Sequence, residues 1–383
     1  ELKFLKIKKK MSKPRYLYID DENGNSEIST LNGFNDTKIV EVTRFNLSAF
    51  REFGSLKKEL ERTCNNNEFD GLIIDLRLDG AGEDRTEFNA TAITSELRSI
   101  SARGDIHSFP IVLCSTEEKI KQTYDSDRTS HDLFDYKLSK STPEPDWIKI
   151  STKLKSLADG YNWIQAAKRK PAEIIGVNKL EVIDERIAER LLSFSVTYDF
   201  THFVIKNFFH QTNPLINERI LAARLGVDLA KTPREVWEKL SLLILDTVRY
   251  KGMFAEGWKR WWANDLVDWF KSISGENLAF LNAKSRIDIL SKALGLEGLA
   301  VAEPIKFCTS SEFWTICEGY KVPIDPLEGF KVHTTADLKP WQESKVISLL
   351  AILEREGFVD RGIRPHLSEL ERIEFTKEQL GLK

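Results

Sequence analysis

Four short apolar runs in the first 140 residues of the chain each stop at polar or charged residues. Apolar runs of about four to eight residues are typical of strands that are buried on both faces of a parallel sheet. We therefore predict buried strands within residues 16–19, 71–76, 110–116 and 134–140. The residues at which the runs stop are an acid pair, a single acid, a hydroxyl and a lysine: Asp20-Asp21, Asp75, Ser115 and Lys140.

Segments with helical periodicity alternate with these runs. Residues 48–64 place Leu56 and Leu60 on one face, residues 90–100 are a second helix candidate, and residues 38–42 are a further strand candidate. Alternating buried strands and helices predict a doubly wound α/β fold around a parallel sheet. Because such folds bind ligands at the carboxyl ends of their strands, the polar ends of the runs mark the expected site.

The residue types at these ends suit the transfer of a phosphoryl group to a carboxylate. A nucleophilic carboxylate is repelled by the incoming phosphoryl oxygens, and a divalent cation that bridges the two groups offsets the repulsion. Mg²⁺ prefers hard oxygen ligands, which the acids supply. A lysine and a hydroxyl can then neutralise and hydrogen-bond the remaining phosphoryl oxygens. The pattern therefore predicts an aspartate that accepts a phosphoryl group with the help of a metal ion.

Four stretches resemble the signature stretches of bacterial response-regulator receiver domains: YLYIDDE, GLIIDLRLDG, PIVLCST and KLSK. The resemblance covers roughly residues 14–142 and implies a flavodoxin-like receiver of two-component signalling. It implies that Asp75 is the phosphoacceptor and that Ser115 and Lys140 assist the reaction, with Lys137 as the alternative lysine. The implied ligands of Mg²⁺ or Mn²⁺ are Asp20, Asp21, Asp75 and the backbone carbonyl of Arg77.

The resemblance also implies partners. Receivers take their phosphoryl group from a histidine kinase, so a histidine kinase is the expected phosphodonor. Phosphorylation of Asp75 would bias a contact with a downstream protein or within a homodimer, or the chain would act as a phosphate-accepting buffer. A role in a bacterial defence pathway is a further expectation. An enzymatic activity beyond self-dephosphorylation is not expected of the receiver.

The 383 residues allow two or three domains with cores of their own. A charged helix breaker at 168–171 precedes a mostly helical region, and the pattern becomes less regular after Gly298. We predict a basic leader at 1–11 that is disordered or left from expression, a receiver at 12–145, a helical linker at 146–170, a mainly α-helical domain at 171–300 and an α+β or irregular subdomain at 301–383.

The C-terminal region contains no P-loop, Gly-rich dinucleotide turn, HExxH motif or nucleophile elbow. A receiver-gated effector enzyme with an unrecognised active site remains an alternative, and so does a DNA-binding regulator. Residues 218–227, followed by a helix start with Thr232 as N-cap and Pro233 at the first position, faintly resemble a helix-turn-helix. The net charge of −3 gives no basic excess, so a nucleic-acid partner is not expected.

Three further features have ordinary structural explanations. Cys308, Cys317 and His333 would make an unusual zinc site, and we expect buried free thiols instead. The aromatic residues of 258–270 fall at helical spacing and predict a packed helical core rather than a membrane-surface face. Four scattered cysteines and the lack of an apolar run of about 18 residues favour a cytoplasmic protein without a membrane partner.

Overall fold

The computed structural model describes residues 13–21, 25–50, 52–76, 78, 89–116, 132–166, 170–334 and 338–382. The predicted leader at 1–11 and the carbonyl of Arg77 lie outside the described residues. The chain divides into two compact units. The sheet unit comprises the chain up to Ile205 together with Lys251–Trp258, and the helical unit comprises Lys206–Tyr250 and Lys259–Lys383.

The sheet unit is built on a five-stranded sheet in the order β2-β1-β3-β4-β5, and every neighbouring pair is parallel. This is the strand order of the flavodoxin-like doubly wound fold, so the predicted fold class of this region is confirmed. Residues 38–42 were expected to hold the second strand, but it starts at Glu41 because Lys38 has a positive φ of 59° and lies in a turn. The strands are β1 (Arg15–Ile19), β2 (Glu41–Arg44), β3 (Gly71–Ile74), β4 (Ile111–Ser115) and β5 (Tyr136–Ser139).

Among the described residues, four helices accompany the sheet: α1 (Asn25–Asp36), α2 (Phe53–Asn65), α3 (Ala90–Arg103) and α4 (Trp147–Ala166). The α2 helix starts later than predicted because Leu47–Ala49 form a separate 3₁₀ turn. Apolar side chains of α2 and α3 form one core with one face of the sheet. On α4, the carbonyl of Leu154 accepts a hydrogen bond of 2.6 Å from the hydroxyl of Tyr16, which ties α4 to β1.

The sheet unit continues beyond residue 170 through α5 (Pro171–Ile174), a 3₁₀ turn (Leu180–Val182), α6 (Glu185–Ser193) and α7 (Thr197–Val204). Arg98 of α3, whose side chain is 9% exposed, donates to Asp135 at 2.7 Å, and Tyr161 of α4 donates to the same carboxylate at 2.7 Å. The guanidinium of Arg98 also lies 3.9 Å from the centre of the Tyr198 ring on α7. We call these four side chains, Arg98, Asp135, Tyr161 and Tyr198, the Arg98 network. They connect α3, α4 and α7 to Asp135, the residue that precedes β5 in the sequence.

The helical unit contains α8 (Glu218–Leu225), α9 (Arg234–Leu243), α10 (Ala263–Ser274) and α11 (Ala283–Leu294), with a 3₁₀ turn at Leu278–Phe280. It is entered through a π-helical turn, Ile205–Phe209. Residues Ile220 to Leu225 of α8 are all buried, and Arg224 pairs with Glu343 at 2.7 Å. The DNA-binding alternative, which would use α9 as the helix that reads DNA, stays a prediction.

Two predicted local features of this region are wrong. The aromatic run is not one helix, because Trp261 and Trp262 form β7, which pairs antiparallel with β6 (Leu215–Ile216). A backbone hydrogen bond of 2.9 Å from the amide of Trp262 to the carbonyl of Val248 helps to hold this segment extended before α10 begins. Thr232 does not cap α9, because its hydroxyl accepts a hydrogen bond from the amide of Ala300 at 3.0 Å and Pro233 is the N-cap. The core role of the aromatic residues holds, since Trp261 is 2% exposed.

The last part of the helical unit has short antiparallel pairs around a small core of its own. Its strands are β8 (Thr315–Ile316), β9 (Pro323–Ile324), β10 (Phe330–Lys331) and β11 (Val346–Ile347), and its helices are α12 (Leu349–Leu353) and α13 (Leu370–Gln379), preceded by a 3₁₀ turn at Leu367–Glu369. Within the described part of the chain, none of the helices combines the length and the apolar character needed to cross a membrane.

Candidate functional site

The acids predicted from the sequence meet at the carboxyl edge of the sheet. Asp20 follows β1 and Asp75 follows β3, which are neighbouring strands, and the amide of Asp75 donates to the carbonyl of Ile19 at 2.9 Å. Asp75 is fully buried and Asp20 is 2% exposed. One carboxylate oxygen from each of Asp20, Asp21 and Asp75 lies within 4.8 Å of the others. The sheet thus concentrates three negative charges in a space that one cation can fill.

The lysine after β5 reaches this cluster. The Nζ of Lys140 lies 2.6 Å from Oδ2 of Asp20 and 3.5 Å from Oδ1 of Asp75. Burial alone would lower the pKa of Lys140, but the charges of Asp75 and Asp20 outweigh it and raise the pKa, which keeps the side chain an ammonium. Lys137, the alternative lysine, has an exposed side chain on β5. Of the two lysines, Lys140 is therefore the one beside the acids.

Ser115 completes the set at the end of β4. It is fully buried, and its hydroxyl has no hydrogen-bond partner among the described residues. The backbone carbonyl of Ser115 accepts a bond of 2.8 Å from the amide of Lys140, which holds the ends of β4 and β5 together. A buried hydroxyl without a partner costs free energy, so its presence calls for an explanation such as a ligand oxygen that it can bind.

Tyr18 belongs to the site and was missed by the sequence analysis. Its side chain is fully buried, and its hydroxyl donates a 2.7 Å hydrogen bond to Oδ2 of Asp20, the oxygen that Lys140 also contacts. Burial above all raises the pKa of Tyr18, so the phenol stays protonated and remains a donor. The signal was available, because residues two apart on a strand share a face and Tyr18 precedes Asp20 by two.

Two further buried side chains, Cys114 and Glu27, interact electrostatically with residues of the acidic cluster. Burial raises the pKa of the Cys114 thiol on β4 to about 12, so this neighbour of Tyr18 is a neutral thiol. Glu27, in the first turn of α1, is 4% exposed and pairs with Arg44 at the end of β2 at 2.7 Å. Burial raises the pKa of Glu27. No local pattern in the sequence marks Glu27, because its position depends on how α1 packs against β2.

The donor set fits a hard divalent cation. Three carboxylates face one ammonium, so the cluster carries an excess of negative charge, and carboxylate oxygens are the ligands that Mg²⁺ and Mn²⁺ prefer. In the part of the chain that the structure describes, this is the one group of three or more acidic, histidine or cysteine side chains placed to share an ion. Cys308, Cys317 and His333 form no such group. The thiol of Cys317 donates to Ser348 at 3.3 Å.

Comparisons with known proteins add little to this picture. No protein-family model matches the chain, and no curated protein matches it. A solved structure described as the crystal structure of the phosphorylated cyanobacterial phytochrome response regulator RcpA is similar to part of it. The sequences are 16% identical, and the alignment covers 41% of this chain and 96% of that chain with a TM-score of 0.22. A TM-score of this size supports no inference, so the fold assignment rests on the strand order and register.

Proposed function

We propose that the sheet unit is a receiver that accepts a phosphoryl group on Asp75 and thereby acts in phosphorelay signalling. The observation that carries the proposal is the meeting of five side chains at one edge of the sheet. They come from the ends of four different strands, and each has the chemistry that the reaction needs. The five are Asp20, Asp21, Asp75, Ser115 and Lys140.

In the proposed reaction, a carboxylate oxygen of Asp75 attacks the phosphorus of the donor. An O–P bond forms as the bond between phosphorus and the leaving atom of the donor breaks, and the leaving group departs with the electron pair and takes up a proton. Asp20, Asp21 and Asp75 would hold Mg²⁺ or Mn²⁺, which would supply positive charge that offsets the repulsion between the carboxylate and the phosphoryl group. The ammonium of Lys140 neutralises further phosphoryl charge, and the hydroxyl of Ser115 donates to a phosphoryl oxygen.

The chemistry also bears on the partner and the outcome. A mixed-anhydride phosphate on Asp75 needs a donor with an activated phosphoryl group, and a phosphohistidine of a partner histidine kinase supplies one. The added charge then changes a contact of this chain with another protein, or the chain stores the phosphoryl group as a buffer. The effector-enzyme alternative, the cytoplasmic location and the defence pathway stay predictions.

The direct test is phosphoryl uptake from a small donor such as phosphoramidate in the presence of Mg²⁺. We expect the intact mass of the full chain to increase by one phosphoryl group, and chelation of the metal to prevent the increase, because the carboxylates would then repel the donor. Reduction of the acyl phosphate with borohydride followed by peptide mapping should place the label on the peptide that contains Asp75. A folded chain that takes up no phosphoryl group under any of these conditions would refute the proposal.

The hydrogen bond from Tyr18 leads to a second prediction. In Tyr18→Phe, Oδ2 of Asp20 loses the phenol as a donor and keeps Lys140. The carboxylate is then oriented less firmly, so we expect the affinity for Mn²⁺ to fall about tenfold. Mn²⁺ binding is measured by paramagnetic titration on the unphosphorylated chain. The matched control is Tyr136→Phe, which removes a half-buried hydroxyl that contacts Lys153 at 2.9 Å and none of the three acids. Equal affinity in the two variants would show that Tyr18 does not position the acid.

A further inference from the structure

The helical unit contains a cleft of about 540 Å³ beside α9. One wall is formed by the side of α9, and the opposite wall includes β7 and the segments that flank it. The size is in the range of ligand sites in proteins. The side chains that the argument uses are Glu218, Arg234, Trp237, Arg249, Lys259 and Trp261.

Arg249 is the unusual residue of this cleft. It is half-buried, and its guanidinium lies 4.6 Å from the centre of the Trp261 ring. Among the described residues, Arg249 forms neither a side-chain hydrogen bond nor an ion pair. Removing a cation from water is costly, and burial lowers the pKa of Arg249, an effect that the nearby charge of Glu218 offsets only in part. The side chain is thus held over an aromatic ring, with its hydrogen-bond donors available to an anion.

The other charged side chains of the cleft do not neutralise both Arg249 and Lys259. Arg234 is paired with Glu238 at 2.8 Å, so these two charges offset one another. Glu218 accepts a hydrogen bond of 2.8 Å from the indole of Trp237. Lys259 is exposed and, within the described residues, has no ion pair. Arg249 and Lys259 therefore leave an excess of one positive charge over Glu218.

The remaining lining is apolar and extends onto the surface. Leu229, Trp237, Leu242 and Leu245 contribute to the walls of the cleft. The end of α9 and the turn after it expose two of these side chains and a neighbouring leucine, with Leu242 at 66%, Leu243 at 52% and Leu245 at 41%. Exposed apolar side chains next to a cleft are typical of a surface that another protein covers, whereas small-molecule sites bury about 70–90% of their ligand.

We propose that this cleft binds a peptide segment of a partner protein in which a carboxylate is flanked by large apolar side chains. The carboxylate pairs with Arg249, and the apolar side chains pack against Trp237 and the exposed leucines. A planar guanidinium can bind a carboxylate through two parallel hydrogen bonds, and the aromatic ring beneath it fixes its plane. The cleft is formed by residues of the helical unit, whereas Asp75 belongs to the sheet unit, and the proposal does not depend on phosphoryl transfer.

The test uses a library of short random peptides displayed on phage and selected on the immobilised full chain. We expect the selected peptides to share Asp, Glu or a terminal carboxylate beside Leu, Ile or Phe. A fluorescent synthetic copy of the best peptide should bind Arg249→Met at least about tenfold more weakly than the native chain. The matched control is Arg364→Met, which removes an exposed arginine outside the cleft and should leave the affinity unchanged.

A second measurement keeps the test decisive if Arg249→Met does not fold. Lys259→Gln changes an exposed side chain and should weaken binding several-fold, and replacing the peptide acid by its amide should weaken binding to the native chain. Where Arg249→Met is folded, the amide peptide should lose much less affinity on it than on the native chain, because the pair with Arg249 is already broken. Selection of no peptide, of peptides without an acid, or of peptides that bind the native chain and the cleft variants equally would overturn the proposal.

Discussion

Asp75→Asn is expected to abolish phosphoryl incorporation and, at the same time, to stabilise the metal-free chain. The amide keeps the shape of the side chain but is a far weaker nucleophile than a carboxylate, so no acyl phosphate forms. Asp75 is fully buried and lies within 4.8 Å of two other carboxylates. Because removal of its charge relieves desolvation and repulsion, we expect a gain of about 1–2 kcal/mol in the free energy of unfolding without metal.

Metal, by contrast, should stabilise Asp75→Asn less than it stabilises the native chain. Mg²⁺ that binds only the folded state raises the melting temperature, and the variant has lost one carboxylate ligand, so its shift with Mg²⁺ should be smaller. Intact mass after treatment with a phosphodonor measures the first effect, and thermal unfolding with and without Mg²⁺ measures the second. The control is Asp105→Asn, an exposed acid whose partner is Arg103. Undiminished incorporation in Asp75→Asn would place the phosphoacceptor on another residue.

The sequence was sufficient to predict the sheet and the residues at its edge, for a physical reason. Strands buried on both faces appear as continuous apolar runs, and the residue at which a run stops lies at the end of the strand. The acids Asp20 and Asp75 could therefore be placed together without knowledge of the helices. The position of Lys140 followed from the same rule, whereas the choice between Lys140 and Lys137 required the side-chain geometry.

What the sequence could not give were contacts between residues far apart in the chain. The pair of Glu27 and Arg44 depends on how α1 packs, and Asp135 is separated from Arg98 by 37 positions. The prediction that the aromatic residues of 258–270 lie on one helix was wrong for a related reason. Trp261 and Trp262 are held extended by pairing with Leu215–Ile216, and this tertiary pairing overrides the local periodicity.

The Arg98 network leads to the largest predicted change in stability. In Arg98→Met, the side chain keeps much of its volume but the carboxylate of Asp135 loses its cation. The side chain of Asp135 is fully buried and that of Arg98 is 9% exposed, so the charge left behind is shielded from water. Breaking a buried pair from one side costs about 3–5 kcal/mol, and we expect a loss of this size in the stability of the sheet unit. Urea unfolding, read by hydrogen exchange of peptides from α3 and β5, assigns the loss to this unit.

The same helix offers a matched control. Arg103 forms a pair with Asp105 at 3.0 Å, but both side chains are more than half exposed, so Arg103→Met should cost at most about 1 kcal/mol. Adding Asp135→Asn to Arg98→Met removes the unpaired charge of the Asp135 carboxylate and should recover part of the lost stability. The amide of Ile111 also donates to Asp135 at 2.8 Å. Asp135 immediately precedes β5, and Lys140 immediately follows it. If Arg98→Met and Arg103→Met are equally stable, the pair of Arg98 and Asp135 does not stabilise the sheet unit as predicted.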